Sequence, residues 1–170
     1  MTLSARRPNA EPLSFAATAE EHLDDVYGYL VYLTRDRAIA EDLAADTFEK
    51  ALRLWRRFDP RRASARTWLC QIARTTALDW FRAEERRHRR EQRVAVPDRF
   101  ESSMAEGLSP ELEAALRELS AGEREVIALR VLLELDGDEA ARVLGISPTA
   151  VSTRLSRALK KLEEKVSIHV

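Results

Sequence analysis

The sequence predicts an all-α protein built of two small helical domains joined by a flexible linker, the C-terminal one containing a helix-turn-helix. Three observations carry that expectation. Five glycines and six prolines are all that punctuate 170 residues, and β-branched runs are short, a balance that favours helix over sheet. Apolar residues recur at helical spacing in several separate stretches. Between them, Val94 to Ser109 carries Pro97 and Gly107, is acidic, and shows no helical stripe. A structureless loop of that length is uncommon inside one compact domain, so a tether is expected there. The resulting division is a disordered lead over 1–14, a helical domain over 15–87, a linker over 88–109 and a second helical domain over 110–166.

The elements follow in order. Leu23, Val26, Tyr27, Leu30 and Leu33 make one apolar stripe on a first helix. Asp36 is placed to cap a second, whose stripe of Ile39, Leu43, Phe48, Ala51 and Trp55 runs until Asp59-Pro60 stops it. After the arginine-rich loop Asp59 to Ala65, a long third helix, whole or split in two, carries Trp68, Leu69, Ile72, Ala73, Thr76 and Trp80. In the second half, Leu112, Leu116 and Leu119 share a register beginning at Pro110, and a further helix runs through Val126, Ile127, Leu129, Arg130 and Leu133.

The run from Asp136 to Leu155 carries the most specific signal. Asp136 is placed to cap a short helix whose Ala140, Ala141 and Leu144 face inward, small residues that let helices cross closely. Gly145 supplies the left-handed residue that ends it, Ile146 plugs the turn, and Ser147 caps the next helix with Pro148 at its first position. Val151, Leu155, Ala158, Leu159 and Leu162 form that helix's core stripe. Thr149, Ser152, Thr153, Arg154, Ser156 and Arg157 are left outward, where hydroxyls and guanidinium groups suit base edges and phosphates in a major groove. A plain helical hairpin with a solvated polar face would need the Gly-Ile-Ser-Pro sequence to be coincidence.

Charge is segregated. Net charge is −1, yet Ala19 to Glu49 holds nine acids and two arginines, whereas Arg53 to Arg93 holds thirteen arginines and five acids. A patch's local field, not the chain's sum, attracts a polyanion. Within the basic stretch Arg61, Arg62, Arg66, Arg74 and Arg82 accompany Trp68, Trp80 and Phe81, a mixture that suits unpaired nucleic acid. Against this stands the plainer reading, tryptophans in the core and arginines in solvent, which is favoured for Trp68 and evenly balanced for Trp80. The acidic stripe Asp42, Asp46 and Glu49 is by itself a solvated face.

Other classes are disfavoured. One cysteine, Cys70, precludes an internal disulfide framework, suits a reducing compartment, and sits in an apolar run as a small core residue. His22, His88 and His169 are scattered, so no metal set, and no cofactor, is expected. Neither a nucleophile motif nor a phosphate-cradling glycine loop is present, and catalysis is not expected. The first eleven residues do not read as a signal peptide, and no apolar stretch approaches the roughly 20 residues of a membrane span. A cytoplasmic protein is expected.

Together these pieces resemble a sigma-70 family sigma factor of the short, extracytoplasmic-function (group IV) type, over nearly the whole chain from Phe15 to Glu164. Ala40-Glu-Asp-Leu-Ala-Ala-Asp-Thr-Phe-Glu-Lys-Ala51 resembles the family's second conserved region. Phe58-Asp-Pro, then Ala65-Arg-Thr-Trp-Leu-Cys-Gln-Ile-Ala-Arg74 and Ala77-Leu-Asp-Trp-Phe-Arg82, resemble its promoter-melting segment. Leu119-Ser-Ala-Gly-Glu-Arg-Glu-Val-Ile-Ala-Leu-Arg130 and Leu144-Gly-Ile-Ser147 resemble its C-terminal domain. The resemblance implies a bacterial initiation factor that binds core RNA polymerase, at the β′ clamp and the β flap, and directs it to promoter DNA. It implies polymerase docking by Asp42, Asp46 and Glu49; −10 element capture by Arg61, Arg62, Arg66, Trp68, Arg74, Trp80 and Arg82; and −35 readout by Thr149, Ser152, Thr153, Arg154, Ser156 and Arg157. An anti-sigma factor is a further implied partner. A free-standing helix-turn-helix regulator is the alternative; it would need a dimerisation face and an effector pocket, and the first half shows neither.

Overall fold

A computed structural model describes residues 14–91, 114–116 and 118–167, and among them there is no strand. Of the expected lead over 1–14, residues 1–13, and of the expected linker over 88–109, residues 92–109, lie outside the described residues, as do Pro110 and Leu112.

The first half is three helices. Helix α1 (Phe15–Thr34) starts where the Ser14 hydroxyl accepts from the Ala17 amide at 3.2 Å, and it ends on Arg35 in the left-handed region at φ 57°. Helix α2 (Arg37–Leu54) is capped by Asp36, whose carboxylate accepts from the Ile39 amide at 3.0 Å. It stops five residues before Asp59 of the Asp59-Pro60 breaker, because Trp55–Arg57 tighten into a 3-10 turn. Helix α3 (Ala65–Glu91) is unsplit and runs four residues beyond the expected boundary at 87. Ser64 caps it, its hydroxyl accepting from the Thr67 amide at 3.2 Å.

Residues 114–116 and 118 are helical. Helix α4 (Ala121–Ile127) opens with a reciprocal box in which Ser120 and Glu123 each bond the other's backbone amide. Beyond it Ala128–Leu132 widen to π geometry, the Leu133 amide donating to the Ala128 carbonyl at 2.9 Å. Helix α5 (Gly137–Leu144) and helix α6 (Pro148–Ser167) complete the fold.

The core is continuous across both halves. It joins Val26, Tyr29, Leu30, Leu43, Leu69 and Cys70 to Val126, Leu129, Leu135, Ala140 and Val151. A smaller cluster of Leu119, Ile127 and Ala158 sits between α4 and α6. Two expected core residues fall outside: Leu23 is 48% exposed and Leu159 47%. Each lies about 70° around its helix from the centre of the buried stripe, far enough to miss the packing partner. Conversely Tyr29, absent from the expected stripe, is 1% exposed. Cys70 is fully buried, and burial pushes its thiol up to about 12.

One ion pair ties α4 to α6: Lys161 Nζ lies 2.7 Å from Glu123. Hydrogen bonds from Lys161 and the Ser120 amide bring the Glu123 carboxyl down from 4.5 to about 2. A depressed acid stabilises the fold above its unfolded value and loses that contribution as pH falls through the folded one. The thermal midpoint should therefore drop between about pH 4.5 and 2. In Glu123→Gln it should already be lower at neutral pH and vary less over that window. Melting curves from pH 7 to 2 check both.

Candidate nucleic-acid interface

Basic and aromatic groups gather where α2 meets the start of α3. A groove of about 430 Å³ has Lys50, Arg53 and Leu54 on its α2 side and Trp68, Ile72 and Thr75 on its α3 side. Lys50 Nζ donates to Thr76 Oγ1 at 3.1 Å, which holds the ammonium at the groove floor. A neighbouring cavity of about 460 Å³ is lined by Arg57, Phe58, Arg62, Trp68 and Gln71, and by Arg142 from the second half. Trp55 stacks on Phe58 with centroids 5.1 Å apart, and Phe58 meets Trp68 at 5.0 Å. Trp68 is thus half-buried against the core while one side of its ring borders both spaces. Flat aromatic surface beside guanidinium groups is what a splayed base and its phosphate need.

The seven residues expected to hold unpaired DNA divide. Arg62 and Trp68 line the cavity. Arg61 folds back on Asp59, with Nε at 3.1 Å and Nη2 at 3.2 Å, and these bonds hold the Asp59 carboxyl below its ordinary range. Arg66 faces Asp25 of α1 at 3.7 Å. Arg74 is engaged by Glu125 at 2.7 Å. Trp80 packs edge-on against Phe81 further along α3, where Arg82 pairs with Asp79 at 3.2 Å. The sequence reading missed Lys50, Arg53, Arg57, Gln71 and Ile72. Lys50 and Arg53 follow the acidic run Glu41 to Glu49 on the same helix, and that reversal of sign was the available signal.

The helix-turn-helix is built as its residues dictate. Asp136 and Glu139 form a reciprocal capping box on α5. Gly145 takes φ 67°, and its amide and that of Ile146 both return to the Ala141 carbonyl. Ser147 Oγ then accepts from the Ala150 amide at 3.2 Å as α6 begins. Val151 and Ala158 are buried, whereas Thr149, Ser152, Thr153, Arg154, Ser156 and Arg157 are all exposed. Ser152 and Thr153 donate back to the Pro148 and Thr149 carbonyls, at 3.2 and 2.9 Å, which leaves their oxygens free to accept. The Arg154 guanidinium lies over Gly122, where an added methyl would come within 3.3 Å of it.

On α2, Asp42, Asp46 and Glu49 share one exposed face. Glu49 pairs with Arg53 at 2.9 Å, both side chains more than 60% exposed, so the pair contributes little to stability. Leu52 emerges beside them, 58% exposed.

Residues 18–87 match the family model Sigma-70 region 2, and residues 109–162 match Sigma-70, region 4. The chain belongs to the sigma-70 family. Such sigma factors are transcription initiation factors of RNA polymerase. Over 167 residues this one is 28% identical to the ECF RNA polymerase sigma factor SigX of Bacillus subtilis, covering 91% of the chain and 84% of the relative. It is 31% identical to the probable RNA polymerase sigma-C factor of Mycobacterium bovis, covering 93% and 85%. The sigma factor RpoE of Bartonella quintana, solved in complex with the anti-sigma factor NepR, superposes with a TM-score of 0.75, covering 92% of this chain and 98% of that one. At 24% identity that likeness shows a common fold. Among the described residues no three His, Cys, Asp or Glu side chains stand together to hold a metal ion in this sigma factor. No described helix is long and apolar enough to cross a membrane.

Proposed function

We propose that this sigma factor directs core RNA polymerase to promoters by two DNA contacts and two protein contacts. The groove between α2 and α3, with its flanking loop, captures unpaired bases of the −10 element and helps melt the duplex. The outer face of α6 reads the −35 element. The acidic face of α2 docks on the polymerase β′ clamp, and the C-terminal domain meets the β flap. The observation that supports this reading best is that Trp68, packed on Phe58, borders both the groove with Lys50 and Arg53 and the neighbouring cavity with Arg57 and Arg62. An anti-sigma factor is the matching negative partner.

Run-off transcription with core enzyme tests the whole reading: defined start sites should appear only when this protein is added. Absence of start sites, together with tight binding of duplex DNA by the protein alone, would favour a free-standing regulator. The docking face has its own test. Asp46→Arg places a cation on a solvent-exposed position, so the fold should survive while affinity for core polymerase falls, about tenfold for each 1.4 kcal/mol lost. Unchanged affinity by co-sedimentation would return the acidic stripe to a solvated face.

A further inference from the structure

The groove between α2 and α3 has a chemistry narrower than a general affinity for unpaired bases. Two polar side chains that line it have their hydrogens already assigned. The Thr75 hydroxyl donates to the Gln71 carbonyl at 2.9 Å, so only its lone pairs remain for a ligand. Lys50 Nζ gives one N–H to Thr76 Oγ1 at 3.1 Å; as an ammonium it keeps two more donors and has no acceptor. One acceptor and one donor therefore wait side by side along the groove. Every DNA base carries a donor beside an acceptor on its Watson–Crick edge. Hydrogen bonding of this kind holds a base without choosing one.

The walls do choose. Leu54 lies at the end of α2 and is 36% exposed, and Ile72 and Trp68 are half-buried across from it on α3. Stacking on a ring such as that of Trp68 is open to every base, because each has a π-face. The two aliphatic side chains add little to stacking; burying them favours a ligand that brings an alkyl group of its own. Thymine is the DNA base with one, the methyl on C5. The rim decides between a nucleic acid and an apolar peptide. Lys50 and Arg53 make that edge of α2 basic, and Glu49, the partner of Arg53, is more than 60% exposed and holds it weakly. Cations beside an apolar groove suit a ligand whose phosphates flank a flat, methylated ring.

We infer that the α2–α3 groove is a thymine site. The C5 methyl packs between Leu54 and Ile72, the N3–H donates to Thr75 Oγ1, the O4 oxygen accepts from Lys50, and Arg53 meets a neighbouring phosphate. The inference rests on the promoter-binding reading above and sharpens it: the −10 position seated in this groove is thymine on the unpaired strand.

Holoenzyme reconstituted from core polymerase and the full-length protein tests this by fluorescence anisotropy. The probes are fluorescein-labelled 12-nucleotide strands of oligothymidylate, oligodeoxyuridylate and oligodeoxycytidylate, with core polymerase alone as the blank. A homopolymer puts the same base in the groove whatever its register. Thymine and uracil differ only by the methyl, so the thymidylate strand should bind about fourfold more tightly than the deoxyuridylate strand, the effect of withdrawing one such group from water. The deoxycytidylate strand should fall below the thymidylate strand as well. Leu54→Ala, at a partly exposed helix end, should shrink the thymine-to-uracil ratio to less than about twofold. Thr75→Val keeps the shape of the side chain and removes its acceptor; it should weaken both strands together and leave their ratio unchanged. The ratio measured on the unsubstituted protein does not depend on how any variant folds. Equal affinity for the thymidylate and deoxyuridylate strands, or a thymine preference that survives Leu54→Ala, would overturn the thymine site. Strand binding no tighter than that of core alone would instead overturn the initiation-factor reading, a separate result.

Discussion

Replacing Leu69 by alanine should cost the fold about 2–5 kcal/mol, the range for deleting a leucine side chain from a packed interior. Leu69 is fully buried at the point where α3 meets α1 and α2, next to Cys70 and within the cluster that contains Val26, Leu30 and Leu43. Close packing leaves few ways for neighbours to collapse into the space. A domain of this size has only about 5–15 kcal/mol of stability, so the variant should unfold at markedly lower denaturant or temperature. The same residue is one position from the Trp68 ring that borders the groove, and loosening there should weaken strand binding as well. Chemical denaturation, with strand affinity measured under folded conditions, separates the two effects. A loss below about 1 kcal/mol would show that the core relaxes around the vacancy.

Arg154→Ala should reduce discrimination at one −35 position by about 1–3 kcal/mol if the guanidinium makes a bidentate contact to a base. That is roughly fivefold to more than a hundredfold in promoter preference. The side chain is exposed near the start of α6 and packs on Gly122 rather than on a carboxylate, so its removal should leave the helix-turn-helix intact. Run-off assays on promoters with each −35 base substituted would locate the relaxed position. A uniform loss at every sequence would reassign Arg154 to the phosphate backbone.

What could be read without a structure was whatever short-range physics dictates. Asp36, Asp136, Gly145 and Ser147 act as the caps and turn that their spacing implied, because a cap needs only residues within a few positions of itself. The outward set on α6 follows from periodicity in the same way. Periodicity also misled at its margins: Leu23 and Leu159 belong to their stripes by spacing but sit at the edges, and only the position of the partner helix decides whether an edge residue is covered. Arg74 was legible as a cation on a basic, aromatic-bearing helix; its engagement by Glu125, 51 residues away, was not. No local pattern marks such a pair, nor the two hydroxyls that Glu139 gathers across 72 and 75 residues. The π turn at Ala128–Leu132 was equally hidden, since its apolar spacing passes for an ordinary helix.

The sealed environment of Cys70 has a practical side. Thiolate, not thiol, reacts with alkylating probes, and a buried thiol held up to about 12 presents almost none at neutral pH. The sequence contains no other cysteine. A cysteine introduced at an exposed position would therefore be the one group to take a maleimide dye, with the native residue left in place. Two such labels, one on α2 and one on α6, would turn the distance between the halves into an optical signal during holoenzyme assembly.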